Sequence, residues 1–207
     1  MALIKLNNQG VKNATAFGSI TGLGSMVFIK KLTASGSGTL SFVDGASGVV
    51  LDDTYKEYVF TFKNIHPSAT SYFQFNASVD TGSNYNVAKT STAFGAIHTE
   101  DDSSPSLSYV GGSDLAQGTG VQRLTTGELD SGNADDNLGG TLHLFNPSST
   151  TFVKHFMIEG NVTDTSNYTI NDFQAGYINT TTAIDGVQFK MSSGNIDSGV
   201  IKLYGVS

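Results

Sequence analysis

Short runs in which apolar and polar residues alternate constrain the fold of this chain more than any other feature. Residues 72–79 show the pattern most clearly, since Phe73 and Phe75 lie on one face and Gln74 and Asn76 on the other. A period of two residues is the pattern of a half-buried β-strand. No helical period longer than two turns occurs anywhere in the chain. The sequence therefore predicts an all-β protein.

Similar runs recur along the whole chain and are separated by Gly, Asn, Asp and Ser, the residues of tight turns. Even spacing of many short strands is typical of a sandwich or a barrel. Thirteen phenylalanines supply apolar surface for two sheet faces packed against each other. We therefore expect an antiparallel two-sheet β-sandwich that is jelly-roll-like. The predicted strands occupy residues 39–43, 58–63, 72–79, 89–97, 121–125, 141–145, 152–158, 173–178, 186–191 and 200–204.

Two turn signals predict hairpins. Residues 64–68, with the sequence Asn-Ile-His-Pro-Ser, have the right length to connect the run 58–63 to the run that follows. Residues 192–199 connect the last two runs, and the alternation on both sides predicts a strong closing hairpin.

The chain is expected to form one domain, because no break in composition marks a boundary. Residues 1–25 are rich in Gly and Asn and predict an N-terminal arm outside the sandwich, which would comprise residues 26–207. Residues 99–140 are acidic and rich in small residues, and they predict a long loop interrupted by one strand. A loop of this length in a compact domain is usually functional or mobile.

Composition excludes several classes of protein. The net charge of −7 and the isoelectric point near 4.8 argue against a nucleic-acid partner, which requires a basic surface. No apolar run approaches the ~20 residues of a membrane span. The chain has no cysteine, which excludes disulfides and thiolate metal sites. We also expect no secretion signal at the amino terminus.

The sequence predicts no catalytic site and no cofactor. Asp and Glu crowd into the predicted loops, whereas a glycosidase requires two carboxylates on rigid elements. The chain has no tryptophan for a sugar-cleaving cleft and no Gly-x-Ser-x-Gly elbow for a serine nucleophile. The four histidines have no spacing typical of a metal site. We therefore predict that the protein is not an enzyme.

One loop offers oxygen ligands to calcium. Asp130, Asn133, Asp135 and Asp136 lie close together in the sequence, although their spacing differs from that of an EF-hand loop. A plain acidic turn is the alternative interpretation. Calcium is the one metal that the sequence suggests.

Tyrosines near the predicted loops offer flat rings to sugars. Tyr72, Tyr85, Tyr109 and Tyr177 are the candidates for contact with a glycan, because an aromatic ring presents an apolar face and a polar edge. This predicts, as an alternative function, a carbohydrate-binding or receptor-binding module for glycans of a host surface.

The closing segment, residues 184–205, carries a family resemblance. It contains Ser192-Ser-Gly-Asn-Ile196, then Ser198-Gly199, then Lys202-Leu-Tyr-Gly205, and it resembles the C-terminal β-hairpin of structural proteins from marine tailed phages. Residues 58–67 and residues 82–86 are similar to the same group. The three segments cover about a quarter of the chain in the expected order.

The resemblance implies a virion component, such as a capsid decoration protein, a head fibre or a tail accessory protein. It implies other virion proteins as partners and self-association, with a homotrimer as the expected form, and it names no catalytic residue. A particle assembled in the host cytoplasm and released by lysis would also reconcile the Ser-, Thr- and Asn-rich composition with the absence of an export signal. The expected location is therefore the virion.

Overall fold

The computed structural model of the protein describes residues 26–206, which form β-strands and turns without a helix. Within this part of the chain no helix is long and apolar enough to cross a membrane. The strands are β1 (Met26–Ser37), β2 (Leu40–Val43), β3 (Glu57–Pro67), β4 (Phe73–Ser78), β5 (Lys89–Thr99), β6 (Ser106–Tyr109), β7 (Gln122–Arg123), β8 (Leu138–Phe145), β9 (Lys154–Asp164), β10 (Tyr168–Ile178), β11 (Gly186–Met191) and β12 (Ile196–Val206).

The strands form two antiparallel sheets. The large sheet has the order β1-β12-β3-β8-β9-β10-β5-β6, and the small sheet has the order β2-β11-β4-β7. The four strands β1-β12-β3-β8 and the four strands of the small sheet form the two layers, and the chain passes from one sheet to the other at every connection except β5-β6, β8-β9 and β9-β10. Eight strands connected in this way are a jelly roll. The predicted two-sheet sandwich is therefore confirmed.

Two hairpins enlarge one side of the jelly roll. The hairpin β5-β6 is inserted between β4 and β7, and the hairpin β9-β10 is inserted between β8 and β11. Both join the large sheet beyond β8, so that this sheet extends past the small one. The segment from Ser113 to Leu129 covers the inner face of the extension, where Leu124 and Leu129 are buried.

The core lies between the sheets and is built around Phe189. Its ring centroid lies 5.3–6.1 Å from those of Phe42, Phe60, Phe62 and Phe73, which come from β2, β3 and β4. Edge-to-face and stacked rings at these separations attract one another beyond the gain from burial. The phenylalanines of the predicted alternating runs thus supply the contact between the two sheets.

The two predicted hairpins are wrong. β3 pairs with β12 and β8, whereas β4 pairs with β11 and β7, so residues 64–68 do not connect paired strands. The closing strands β11 and β12 also lie in different sheets. An alternating run buries one face in either arrangement, and the period of two residues therefore cannot distinguish a hairpin from a crossing between sheets. The closing segment that resembles the phage proteins is such a crossing.

Other boundaries also differ from the predicted ones. β9 begins at Lys154 and not at Phe152, whose side chain is 67% exposed in the preceding turn. Residues 99–140, predicted as a long loop with one strand, contain both β6 and β7 and the first residues of β8. The predicted arm, residues 1–25, lies outside the described residues.

Two adjacent glycines of β8 provide a test of how closely the strands pack. A Cβ atom added to Gly140 would lie 2.5 Å from the carbonyl oxygen of Glu159, whereas one added to Gly139 would meet no atom within 4 Å. We expect Gly140→Ala to lower the free energy of unfolding by about 1–3 kcal/mol. Gly139→Ala is the matched control and should change it little. Equal effects of the two substitutions in urea denaturation would contradict the close approach of β8 and β9.

Candidate functional site

The outer face of the large sheet is the candidate functional surface, and we call it the outer face throughout. The alternation along β9 shows how it forms, because Phe156 and Ile158 are buried while His155, Met157 and Glu159 are exposed. The buried residues contact the core, and the others point away from the small sheet. The inserted hairpins extend this face over β8, β9, β10, β5 and β6.

Four side chains form an apolar area on this face, which we call the outer patch: Phe94, Tyr109, Met157 and Phe173. Phe94, Tyr109 and Met157 are 42%, 61% and 55% exposed. Phe94 lies opposite both Phe173 and Tyr109 in the strand register, and the rings of Phe94 and Phe173 stack with their centroids 5.2 Å apart. An exposed apolar cluster on a polar protein marks an interaction site.

Three shallow depressions adjoin the outer patch. One of about 230 Å³ lies among His143, Phe145 and Met157, and one of about 420 Å³ lies between Met157 and Tyr177. The third, of about 550 Å³, lies across β9, β10, β5 and β6 beside Leu107. The face is therefore a broad surface with shallow relief, and its shape suits an extended partner better than a small molecule.

Polar groups on the outer face can fix the orientation of a partner. Nδ1 of His143 lies 2.6 Å from Oε1 of Glu57, so that the carboxylate orients the imidazole. The ring of His155 packs edge-on against Tyr177, and the Asn161 amide group donates to the hydroxyl of Thr169. These groups lie at the sheet surface and are suited to recognition by hydrogen bonds.

A buried polar network lies beneath the same strands, on the inner face of β10. Nε2 of Gln122 donates to Oε1 of Gln174 at 2.9 Å, and the hydroxyl of Ser91 donates to Oε1 of Gln122 at 2.6 Å. Oδ1 of Asp172 accepts hydrogen bonds from the amide and hydroxyl groups of Thr126. Its other oxygen, Oδ2, is buried without a hydrogen-bond partner among the described residues.

Burial dominates the titration of Asp172. The loss of water raises the pKa of this carboxyl group from 3.8 to about 6, because a charge is less stable in an apolar interior. The hydrogen bonds from Thr126 oppose the shift, while the negative charge of Asp164 adds to it. The hydrogen bonds from Gln122 and Thr126 to β10 fix how the segment from Ser113 to Leu129 packs against this strand.

The structure separates the four tyrosines that the sequence suggested as glycan contacts. Tyr109 and Tyr177 lie on the outer face, with the hydroxyl of Tyr109 donating to Asp114. Tyr72 lies at the small sheet beneath Arg123, whose guanidinium carbon is 3.7 Å from the ring centroid. Tyr85 is half-buried and packs against the backbone at Gly82 near the same sheet. The four tyrosines therefore do not form one site.

The residues suggested for calcium are partly brought together. Nδ2 of Asn133 donates to Oδ2 of Asp130 at 3.3 Å and to Oδ2 of Asp136 at 3.2 Å. The side-chain nitrogen of Asn133 thus lies between the two carboxylates. Asp135 is exposed, and its backbone oxygen accepts a hydrogen bond from the side chain of Asn137. Within residues 26–206 no group of three or more His, Cys, Asp or Glu side chains is arranged to hold a metal.

Sequence reasoning missed Phe94, Met157 and Phe173. Each belongs to an alternating strand but lies on the exposed phase of that strand, opposite the residues that form the core. The sequence signal for these three residues is a large apolar side chain at the alternate strand positions that otherwise carry Thr, Asn and Glu. Comparison of the chain with protein-family models, curated proteins and solved structures yields no match.

Proposed function

We propose that the protein is a non-enzymatic structural component of a tailed-phage particle, attached at the particle surface as a capsid decoration protein, a head fibre or a tail accessory protein. The observation that carries the proposal is the outer patch, an apolar area on a protein with a net charge of −7. Such an area favours a protein partner. The resemblance of residues 184–205 to virion proteins supports a phage particle as the source of that partner.

The attachment surface in this proposal is the outer patch. Burial of a large apolar side chain at an interface contributes about 1.5–3 kcal/mol, so the loss of two such side chains weakens attachment at least about tenfold. The patch lies on paired strands whose inner face is covered by the segment from Ser113 to Leu129, and binding therefore needs little reordering of the backbone.

The double substitution Phe94→Ser with Met157→Ser tests this surface. We expect at least about tenfold weaker rebinding to particles from which the protein has been stripped, while cooperative unfolding in urea shows that the variant still folds, because neither side chain belongs to the core between the sheets. The matched control is Phe152→Ser, at an exposed phenylalanine in the turn before β9. Undiminished rebinding of the double variant would show that another surface carries the attachment.

Binding of a host-surface glycan is the second candidate function, and the outer face gives it a specific basis. Tyr109 and Tyr177 lie there with Phe94, and the amide groups of Asn161 and Asn171 border the depression beside Leu107. Aromatic faces beside amide groups suit sugar rings. A glycan array with and without calcium tests this function, and binding that Tyr177→Ala abolishes would favour it over attachment to another virion protein.

A further inference from the structure

Each edge strand of the large sheet has one side that is open among the described residues, 26–206. β1 pairs along one side with β12, and β6 pairs along one side with β5, so each has a second side that pairs with no strand of residues 26–206. An open edge presents unpaired backbone N–H and C=O groups to another strand. Proteins that remain monomeric usually protect such edges.

Both edges also expose apolar side chains. Met26, Val27 and Phe28 on β1 are 47%, 39% and 56% exposed, and Leu107 and Tyr109 on β6 are 70% and 61% exposed. These five are most of the large apolar side chains that are exposed within the described residues. Apolar side chains beside unpaired backbone groups are the features of a strand that pairs with another chain.

The charges at the two edges are opposite. The exposed Lys31 of β1 lies directly across from Lys202 of β12, and neither forms a salt bridge with a carboxylate of the described residues. Like charges in opposed positions of a sheet are unfavourable. Along the chain, β6 is preceded by Asp101 and Asp102, of which Asp102 lies 3.2 Å from Nε2 of His98, and is followed by Asp114.

The charges also decide which edges meet. Contact between two β1 edges would bring the lysines of two copies together, and contact between two β6 edges would bring the aspartates together. Only contact between β1 and β6 places opposite charges at the interface, and potentials of this kind select the partner. The side chains of Phe28 and Lys31 lie on the same face of the sheet as those of Leu107 and Tyr109. Contact between β1 and β6 therefore also brings apolar side chains together.

We propose that the occupant of each edge is a second copy of this chain, with β1 of one copy pairing with β6 of the next. β6 is four residues long, and the segment of β1 from Phe28 to Thr33, which contains a bulge between Phe28 and Lys30, is long enough to pair with it. A contact between two different surfaces is head-to-tail and generates a closed ring or a filament. The pairing goes beyond the proposed function and does not depend on the identity of the particle.

Cross-linking tests this arrangement in the 207-residue chain, which has no cysteine of its own. Thr33→Cys places a thiol on β1 and Leu107→Cys places one on β6, both at exposed positions. With a short thiol-reactive cross-linker, the double variant should give covalent oligomers. Each single variant alone should remain uncrosslinked, whereas an equimolar mixture of the two single variants should give dimers. In the control variants, Ser149→Cys replaces either Thr33→Cys or Leu107→Cys. Ser149 lies outside both edge strands, so any product of these variants measures cross-linking by random collision.

Each other outcome overturns the proposal. Dimers of Thr33→Cys alone or of Leu107→Cys alone would show that like edges pair. Absence of cross-linked product, together with a monomeric mass in light scattering at the same concentration, would show that the copies do not pair. Product that forms only after deletion of residues 1–25 would show that this segment, and not a second copy, occupies an edge in the 207-residue chain.

A charge exchange separates specific pairing from nonspecific association. Lys31→Glu should reduce cross-linking between the double-cysteine chains, and Asp101→Lys with Asp102→Lys in the same chain should restore it. High salt should weaken the pairing of the unmodified edges, because exposed charges are screened. Cross-linking that Lys31→Glu leaves unchanged would contradict the role assigned to these charges.

Discussion

Replacing Phe189 by alanine is expected to lower the free energy of unfolding by about 3–5 kcal/mol, the range for a large aromatic residue removed from a core. Phe189 is fully buried and contacts four other phenylalanine rings. The substitution removes contacts between the two sheets and leaves a cavity that the flanking strands cannot fill. Domains of this kind have a total stability of about 5–15 kcal/mol, so this loss is a large part of it.

Phe152→Ala is the matched control for this substitution. Phe152 is 67% exposed, and its replacement should change the free energy of unfolding by less than about 0.5 kcal/mol. Urea denaturation of the unaltered protein and the two variants measures both effects. The comparison requires that the slope of the free energy of unfolding against urea concentration is the same in all three. A loss below 1 kcal/mol for Phe189→Ala would contradict a core centred on this ring.

Replacing Asp172 by asparagine is expected to change how stability depends on pH. The pKa of Asp172 is raised from 3.8 to about 6 in the folded protein, so the folded state binds more protons than the unfolded state between these values. The contribution of this group to stability therefore falls as the pH rises from about 4 to about 6. The difference between the two pKa values corresponds to a loss on the order of 3 kcal/mol.

The variant has no charge to bury, and its amide oxygen can still accept from Thr126. The stability of Asp172→Asn relative to the unaltered protein should therefore increase between pH 4 and pH 7, by an amount on the order of 3 kcal/mol. Comparison of the two proteins at each pH cancels the contributions of the other carboxylates. Asp53→Asn, at an exposed turn, is the control. A relative stability that is independent of pH would contradict a buried, ionisable Asp172.

Alternation predicted the strands and the two-sheet sandwich, but it could not predict the pairing. In β11 and β12, for example, Phe189 and Leu203 are both buried, and each strand shows a clear period of two. The same pattern fits a hairpin and a crossing between sheets. The partner of each strand is set by contacts with residues far away in the sequence, such as those of β12 with β1 and β3.

The candidate surface was predictable only in part. Tyr109 and Tyr177 were found because tyrosine has a recognised role in binding, whereas Phe94 and Phe173 were counted with the core. The register that stacks these two rings at 5.2 Å joins strands from different insertions, β5 and β10. The buried position of Asp172 likewise depends on the covering segment, whose path leaves no periodic signal in the sequence.

Mass spectrometry of purified phage particles tests the central claim most directly, namely that this chain is a structural component of the virion. The measurement compares gradient-purified particles with the soluble fraction of the same lysate. We expect the chain to remain with the particles through purification, at a constant ratio to the major capsid protein. Recovery of the chain in the soluble fraction, with none in the particles, would contradict the proposed function.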